Sequence, residues 1–87
     1  MNGQLPMQKI TPVIVVLWAF DKTEGGELLP AFEARQMPDE RRALAQARAL
    51  AKSHDGVICW KREADLAAGE YGPSEVLYRH GSLPDFD

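Results

Sequence analysis

The chain has 87 residues, of which 45% are hydrophobic and 26% charged. This is an ordinary balance for a globular protein and too apolar for wholesale disorder. The length gives one domain, at the small end of what folds alone. A formal net charge of -3 argues against nucleic acid or an anionic membrane as an obligatory partner, and a single cysteine, Cys59, excludes an intramolecular disulfide and a Cys-based zinc cluster.

Residues 1–11 carry Pro6, Asn2, Gly3 and only isolated apolar residues (Leu5, Met7, Ile10), the composition of a mobile lead-in whose end, at Ile10, is able to begin the first strand. Residues 12–82 then read as one α+β domain, and residues 83–87 as a polar tail. The domain opens on Val13-Ile14-Val15-Val16-Leu17-Trp18-Ala19-Phe20, the one long apolar run, β-branched and aromatic as a strand prefers. Alternate residues of a strand face opposite ways. Val13, Val15, Leu17 and Ala19 therefore lie on one side, and Ile14, Val16, Trp18 and Phe20 on the other. Neither set favours water, so the strand belongs inside its sheet. Lys9 before the run invites a signal-peptide reading, but Asp21-Lys22-Thr23-Glu24 follows with no small-x-small cleavage pattern, and the run is shorter than the roughly 20 residues of a membrane-spanning helix. A cytoplasmic, unprocessed protein is the expectation.

Gly25-Gly26, flanked by Glu24 and Glu27, reads as a hairpin turn rather than a phosphate loop, since acidic neighbours repel phosphate and no Gly-Lys-Ser/Thr follows. Leu28 to Gln36 then reads as a second strand, at an edge because Pro30 lacks a ladder donor. Pro38 to His54 predicts the one helix. Pro38 suits its first position, Asp39 and Glu40 suit its positive end, Lys52 and His54 its negative end, and Gly56 its stop. Ala43, Leu44, Ala47, Leu50, Ala51 and His54 form its apolar stripe at helical spacing.

Gly56 to Glu63 reads as a third strand. Ala64-Asp65-Leu66-Ala67-Ala68 suggests a helical turn, broken at Gly69 and Gly72-Pro73. Glu75 to His80 reads as a fourth strand. The expected fold is thus a single four-stranded mixed sheet, β-β-α-β-β, with a right-handed crossover through the helix. Strand order is 2-1-3-4, with the helix on one face. The uncovered face of the first strand must then be closed by the lead-in, by the 64–73 loop or by another chain, because each large apolar side chain left wet forgoes ~1.5–3 kcal/mol.

Candidate chemistry is sparse. Cys59 and His80 fall on strands expected to be neighbours, but nothing orients a third group or an oxyanion site, and Cys59 in Val-Ile-Cys-Trp reads as a core filler. His54 and His80, with Asp55 or Glu75, lack metal-ligand spacing, and no cofactor motif is present. His54 on the apolar stripe reads as a half-buried, satisfied histidine. Arg41, Arg48 and Lys52, flanked by Arg42, share an exposed helix face able to meet phosphates, although Asp39 and Glu40 stand at its head and no aromatic pair joins it. Glu63, Asp65, Glu70 and Glu75 make the last connection acidic, which serves solubility. Trp60 and Tyr71 near a sheet edge are residue types that interfaces enrich.

Trp60-Lys61-Arg62-Glu63, Gly69-Glu70-Tyr71-Gly72-Pro73-Ser74-Glu75-Val76-Leu77 and Gly81-Ser82-Leu83-Pro84-Asp85, taken with the helix, resemble short uncharacterised bacterial proteins. The resemblance implies a bacterial, cytosolic origin and carries no activity, cofactor or catalytic residue. The sequence therefore predicts a non-enzymatic protein that self-associates, as a dimer through sheet faces or edges, or binds a protein partner. The surface for this is Ile14, Val16, Trp18, Phe20, Trp60 and Tyr71. A nucleic-acid accessory role through Arg41, Arg42, Arg48 and Lys52 is the alternative.

Overall fold

The computed structural model describes residues 12–65 and 69–85; the lead-in, part of the 64–68 segment and the last two residues lie outside the described residues. Six strands and one helix follow in the order β1 (Val13–Lys22), β2 (Leu28–Pro30), β3 (Arg35–Met37), α1 (Glu40–Leu50), β4 (Gly56–Asp65), β5 (Glu70–Tyr71) and β6 (Glu75–Gly81). They form a small α+β fold with one sheet, curled into a half-barrel. β1 lies inside, with β2 and β3 along one side and β4 along the other; β5 and β6 both pair with β4.

Every pairing between these strands is antiparallel, so the expected mixed four-stranded sheet is corrected to six antiparallel strands. The single second strand expected over 28–36 is two short ones. The chain leaves the ladder at Ala31 to Ala34. There Phe32 turns its ring toward the helix-side core, while its carbonyl accepts the Trp18 indole N–H at 2.8 Å. Packing of one aromatic ring thus breaks a strand that propensity alone would continue. At the other side β6 departs from regular register between Cys59 and Trp60, an irregularity of the kind that increases local twist and curls a sheet. At Ala64 and Asp65 the expected helical turn is corrected, its remainder lying outside the described residues: β4 continues through Asp65, where Ala64 pairs with Tyr71 and its N–H donates to the Pro12 carbonyl at 2.9 Å.

The helix is shorter than expected. Its N-cap is Asp39, whose side chain accepts from the Arg42 N–H at 2.7 Å, so Pro38 precedes the cap instead of occupying the first helical turn. The cap satisfies one of the amides that a helix start leaves without an intrahelical partner. Ala51 is the C-cap, and Gly56 opens β4 instead of stopping α1. Two polar clamps fix α1 to the sheet. Lys61 on β4 meets Glu40 at 2.6 Å, and at the other end His54 Nδ1 lies 3.0 Å from Asp21 on β1. The Lys22 N–H, also on β1, donates to Asp55 at 2.7 Å.

Ala43 and Ala47 are fully buried against Val15, Leu17, Ala19, Val57 and Cys59. Alanine brings the helix backbone close to the sheet, and the larger strand residues fill the interface. This is the main core.

Candidate functional site: the helix-free face

The register places the residues of the opposite sheet face in rows. Phe20 stands across from Gly56, and Gly56 across from Gly81; Trp18 pairs with Ile58 and Ile58 with Arg79; Val16 pairs with Trp60 and Trp60 with Val76; Ile14 pairs with Arg62. The first row is closed. A Cβ on Gly56 would collide with the Ser82 carbonyl, and the Leu83 side chain lies beside the same point. Gly81 has φ +69, and a Cβ there would meet the Asp55 carbonyl. Glycine is needed at 81 because only it adopts that backbone cheaply, and at 56 because the chain crosses directly above it. The Ser82 N–H then donates to Asp55 O at 2.9 Å. The 82–85 segment is thus turned onto the sheet, with Leu83 and Pro84 half-buried.

Phe20, in the row that Gly56 and Gly81 complete, is only 2% exposed. Its ring also lies against Trp18, with centroids 4.8 Å apart. Val16, at 9%, is likewise enclosed, so two of the residues expected to meet a partner are corrected to core. Ile14 is half-buried. Tyr71 is 55% exposed but lies on β5, where the Arg62 guanidinium sits 5.0 Å from its ring centroid. It flanks the tryptophan surface without lining it.

Trp18 and Trp60 do come together. On the same face and diagonal on neighbouring strands, they form the floor of an open cleft of about 860 Å³ with Ile58 and Val76, walled by Leu83 and Pro84. Arg62, Ser74, Arg79 and Asp85 supply its polar groups. The Arg62 Nε donates to the Gly72 carbonyl at 3.2 Å, which holds the guanidinium over Tyr71. Among the described residues neither Arg62 nor Arg79 has a carboxylate partner. The tryptophans were legible as candidates in the sequence. The two arginines were not, because their convergence depends on the β4–β6 register and its shift. A smaller hollow of about 370 Å³ beside it mixes Lys61 and Arg62 with Glu63 and Glu75, so its charges offset.

The remaining candidates stay apart from this cleft. Arg41, Arg42, Arg48 and Lys52 are exposed on and just beyond α1, but Arg42 lies 3.6 Å from Asp39, and Asp39 and Glu40 border the same surface as Arg41 and Arg42. Cys59 is buried, and burial, with the Glu40 charge, pushes its thiol above the ordinary cysteine pKa; this disfavours the thiolate that nucleophilic chemistry needs. The residue across from it is Tyr78, while the exposed His80 stands across from Val57. Among the described residues no three His, Cys, Asp or Glu side chains gather as a metal site, and no helix is long and apolar enough to cross a membrane. No family model, curated protein or solved structure matches the chain.

Proposed function

We propose that this protein is a non-enzymatic interaction module that docks a segment of another protein in the cleft of its helix-free sheet face. The observation that carries the reading is the pairing of two half-buried tryptophans, Trp18 and Trp60, on the floor of an open cleft. Tryptophan and arginine are the side chains that dominate binding energy at protein interfaces. The edges offer less. β2 and β3 are three residues each and separated by the Ala31–Ala34 break, and β6 is irregular in register and bears Glu75 and Arg79. Short, bulged and charged edges resist strand addition.

Shape and charge favour a foreign segment over a second copy. Two concave faces brought together across a two-fold axis leave a void between them. They would also bring the Arg62 and Arg79 pairs of both copies into one interface.

The chain's two tryptophans both line the cleft, so their emission reports its occupancy. The expected result is a monomer in light scattering at high micromolar concentration, with tryptophan emission readily quenched by acrylamide. A dimer whose tryptophans are protected, and which a Trp60→Asp change converts to monomer, would assign the cleft to a second copy and overturn the foreign-partner reading. The alternative of a nucleic-acid accessory role has one supporting observation, the exposure of Arg41, Arg48 and Lys52 along α1 and its C-terminal end. Its test is oligonucleotide binding at low salt that charge reversal at Arg41 and Arg48 removes.

A further inference from the structure

The two arginines of the cleft narrow what its partner must be. Asp and Glu outnumber Lys and Arg in this chain by 13 to 10, yet Arg62 and Arg79 line the cleft with no carboxylate partner among the described residues. Asp85, at the end nearer the 82–85 segment, is the one acidic group of the lining. Arg62 is half-buried and Arg79 exposed; beside the apolar floor the half-buried Arg62 guanidinium attracts a carboxylate more strongly than one on an open surface does. The charge that complements this cleft is negative.

The placement of the two cations also has a length. Arg79 stands across from Ile58, and Arg62 lies four residues further along β4, about 13 Å at the rise of a strand. Trp60 lies between them on the same face. An extended peptide has the same rise and the same alternation, so its residues i, i+2 and i+4 reach Arg62, Trp60 and Arg79 in turn. Trp18 lines the same cleft, its N–H given to the Phe32 carbonyl.

From these positions we propose that the cleft binds an extended acidic protein segment of the pattern acid–x–apolar–x–acid, with the carboxylates on Arg62 and Arg79 and the apolar side chain on Trp60. This rests on the reading of the helix-free face as a protein-docking surface. A long polyanion fits less well, because Asp85 lies in the cleft and Glu63, Glu70 and Glu75 are exposed close to Arg62 in sequence or across the sheet.

The test is a titration of the full chain followed by tryptophan fluorescence. The probe is a tryptophan-free peptide containing Glu-Ser-Leu-Ser-Glu, and the control carries Gln in place of both Glu. The expected result is a saturable change for the acidic peptide, roughly tenfold weaker for the Gln control. The parent preference for the acidic peptide should disappear in the doubly substituted Arg62→Gln, Arg79→Gln protein while its circular dichroism stays that of the folded parent, the lost Arg62–Gly72 hydrogen bond lowering its melting temperature only slightly. Equal binding of both peptides would overturn the acidic-partner inference and leave the docking surface standing. No saturable change with either peptide, from a protein that light scattering shows to be monomeric, would overturn both. Tighter binding of an oligothymidylate than of the acidic peptide would overturn the inference in favour of single-stranded nucleic acid.

Discussion

The two faces of β1 come from the same eight apolar residues, and the fold treats them in opposite ways. On the helix side, Val15, Leu17 and Ala19 meet Ala43 and Ala47 and are sealed, each 5% exposed or less. On the helix-free side, Phe20 is buried in the row where the chain crosses above Gly56, while Trp18 and Trp60 stay half-buried. One face is filled with small and medium side chains packed by a rigid element. The other holds the largest side chains of the chain, with the 82–85 segment turned onto it and walling a cleft. In a domain this small, with about 5–10 kcal/mol of stability in all, leaving two indoles half in water costs much of what burial offers. Such surface is retained most readily where a partner uses it.

The comparison is broken most directly by truncating one residue on each face. Leu17→Ala should cost about 2–5 kcal/mol, because Leu17 is fully buried and the helix cannot collapse into the space. Trp60→Ala should cost clearly less, roughly 1 kcal/mol, since its half-exposed ring leaves no closed cavity. Chemical denaturation of the two variants measures both. Equal losses would mean that the helix-free face is as much a core as the helix face.

An effect smaller than that of Leu17→Ala is expected at the junction of the two halves of the open face. Gly56→Ala puts a methyl into the path of Ser82, and relieving that clash should cost about 1–3 kcal/mol. It should also lift the 82–85 segment from the sheet. Faster amide exchange at Ser82, whose N–H donates to Asp55 O, with the α1 amides unchanged, is the signature. A uniform loss of protection would place that segment within the global folding unit instead.

The smallest effect concerns pH and belongs to the helix face. The Cys59 thiol is raised above 9.0 by burial and then by the Glu40 charge. Lys61 is raised above 10.5, chiefly by its hydrogen bond to Glu40, with further pull from the Glu40 and Glu75 charges. Both groups hold their protons more tightly folded than unfolded. Their contribution to stability is therefore complete below the unfolded values and is lost as pH rises through the folded ones. Stability should be insensitive to these groups at neutral pH and fall from about pH 9 upward. Cys59→Ala should flatten the first part of that fall in denaturation curves taken across the range. In the native parent at neutral pH, Cys59 should resist thiol reagents until the chain is unfolded.

Much of this was legible from local chemistry. The doubly apolar pattern of Val13–Phe20 requires an interior strand, because period-two alternation puts four apolar side chains on each side. The alanine stripe likewise requires a helix packed close to a sheet. His54 at the end of that stripe reads as a satisfied histidine, and its contact with Asp21 is of that kind. Local chemistry does not contain the break at Ala31–Ala34, since Phe32 leaves its strand for a core it meets only in the folded chain. Nor does it contain the continuation of β4 through Asp65, which is stabilised by Pro12 from a distant part of the sequence and by the return of the chain at Tyr71.

The same division runs through the candidate site. Trp18 and Trp60 announce themselves by size and by the strands they sit on. Pairing register, which acts between residues far apart in sequence, decides that they share a cleft with Arg62 and Arg79. The sequence by itself determined that one face of β1 would lack a helix, because a single amphipathic stripe covers a single face. The tertiary structure alone decided how that face is divided. Gly56 and Gly81 admit the crossing chain, whose Leu83 and Pro84 wall the cleft that Trp18 and Trp60 floor.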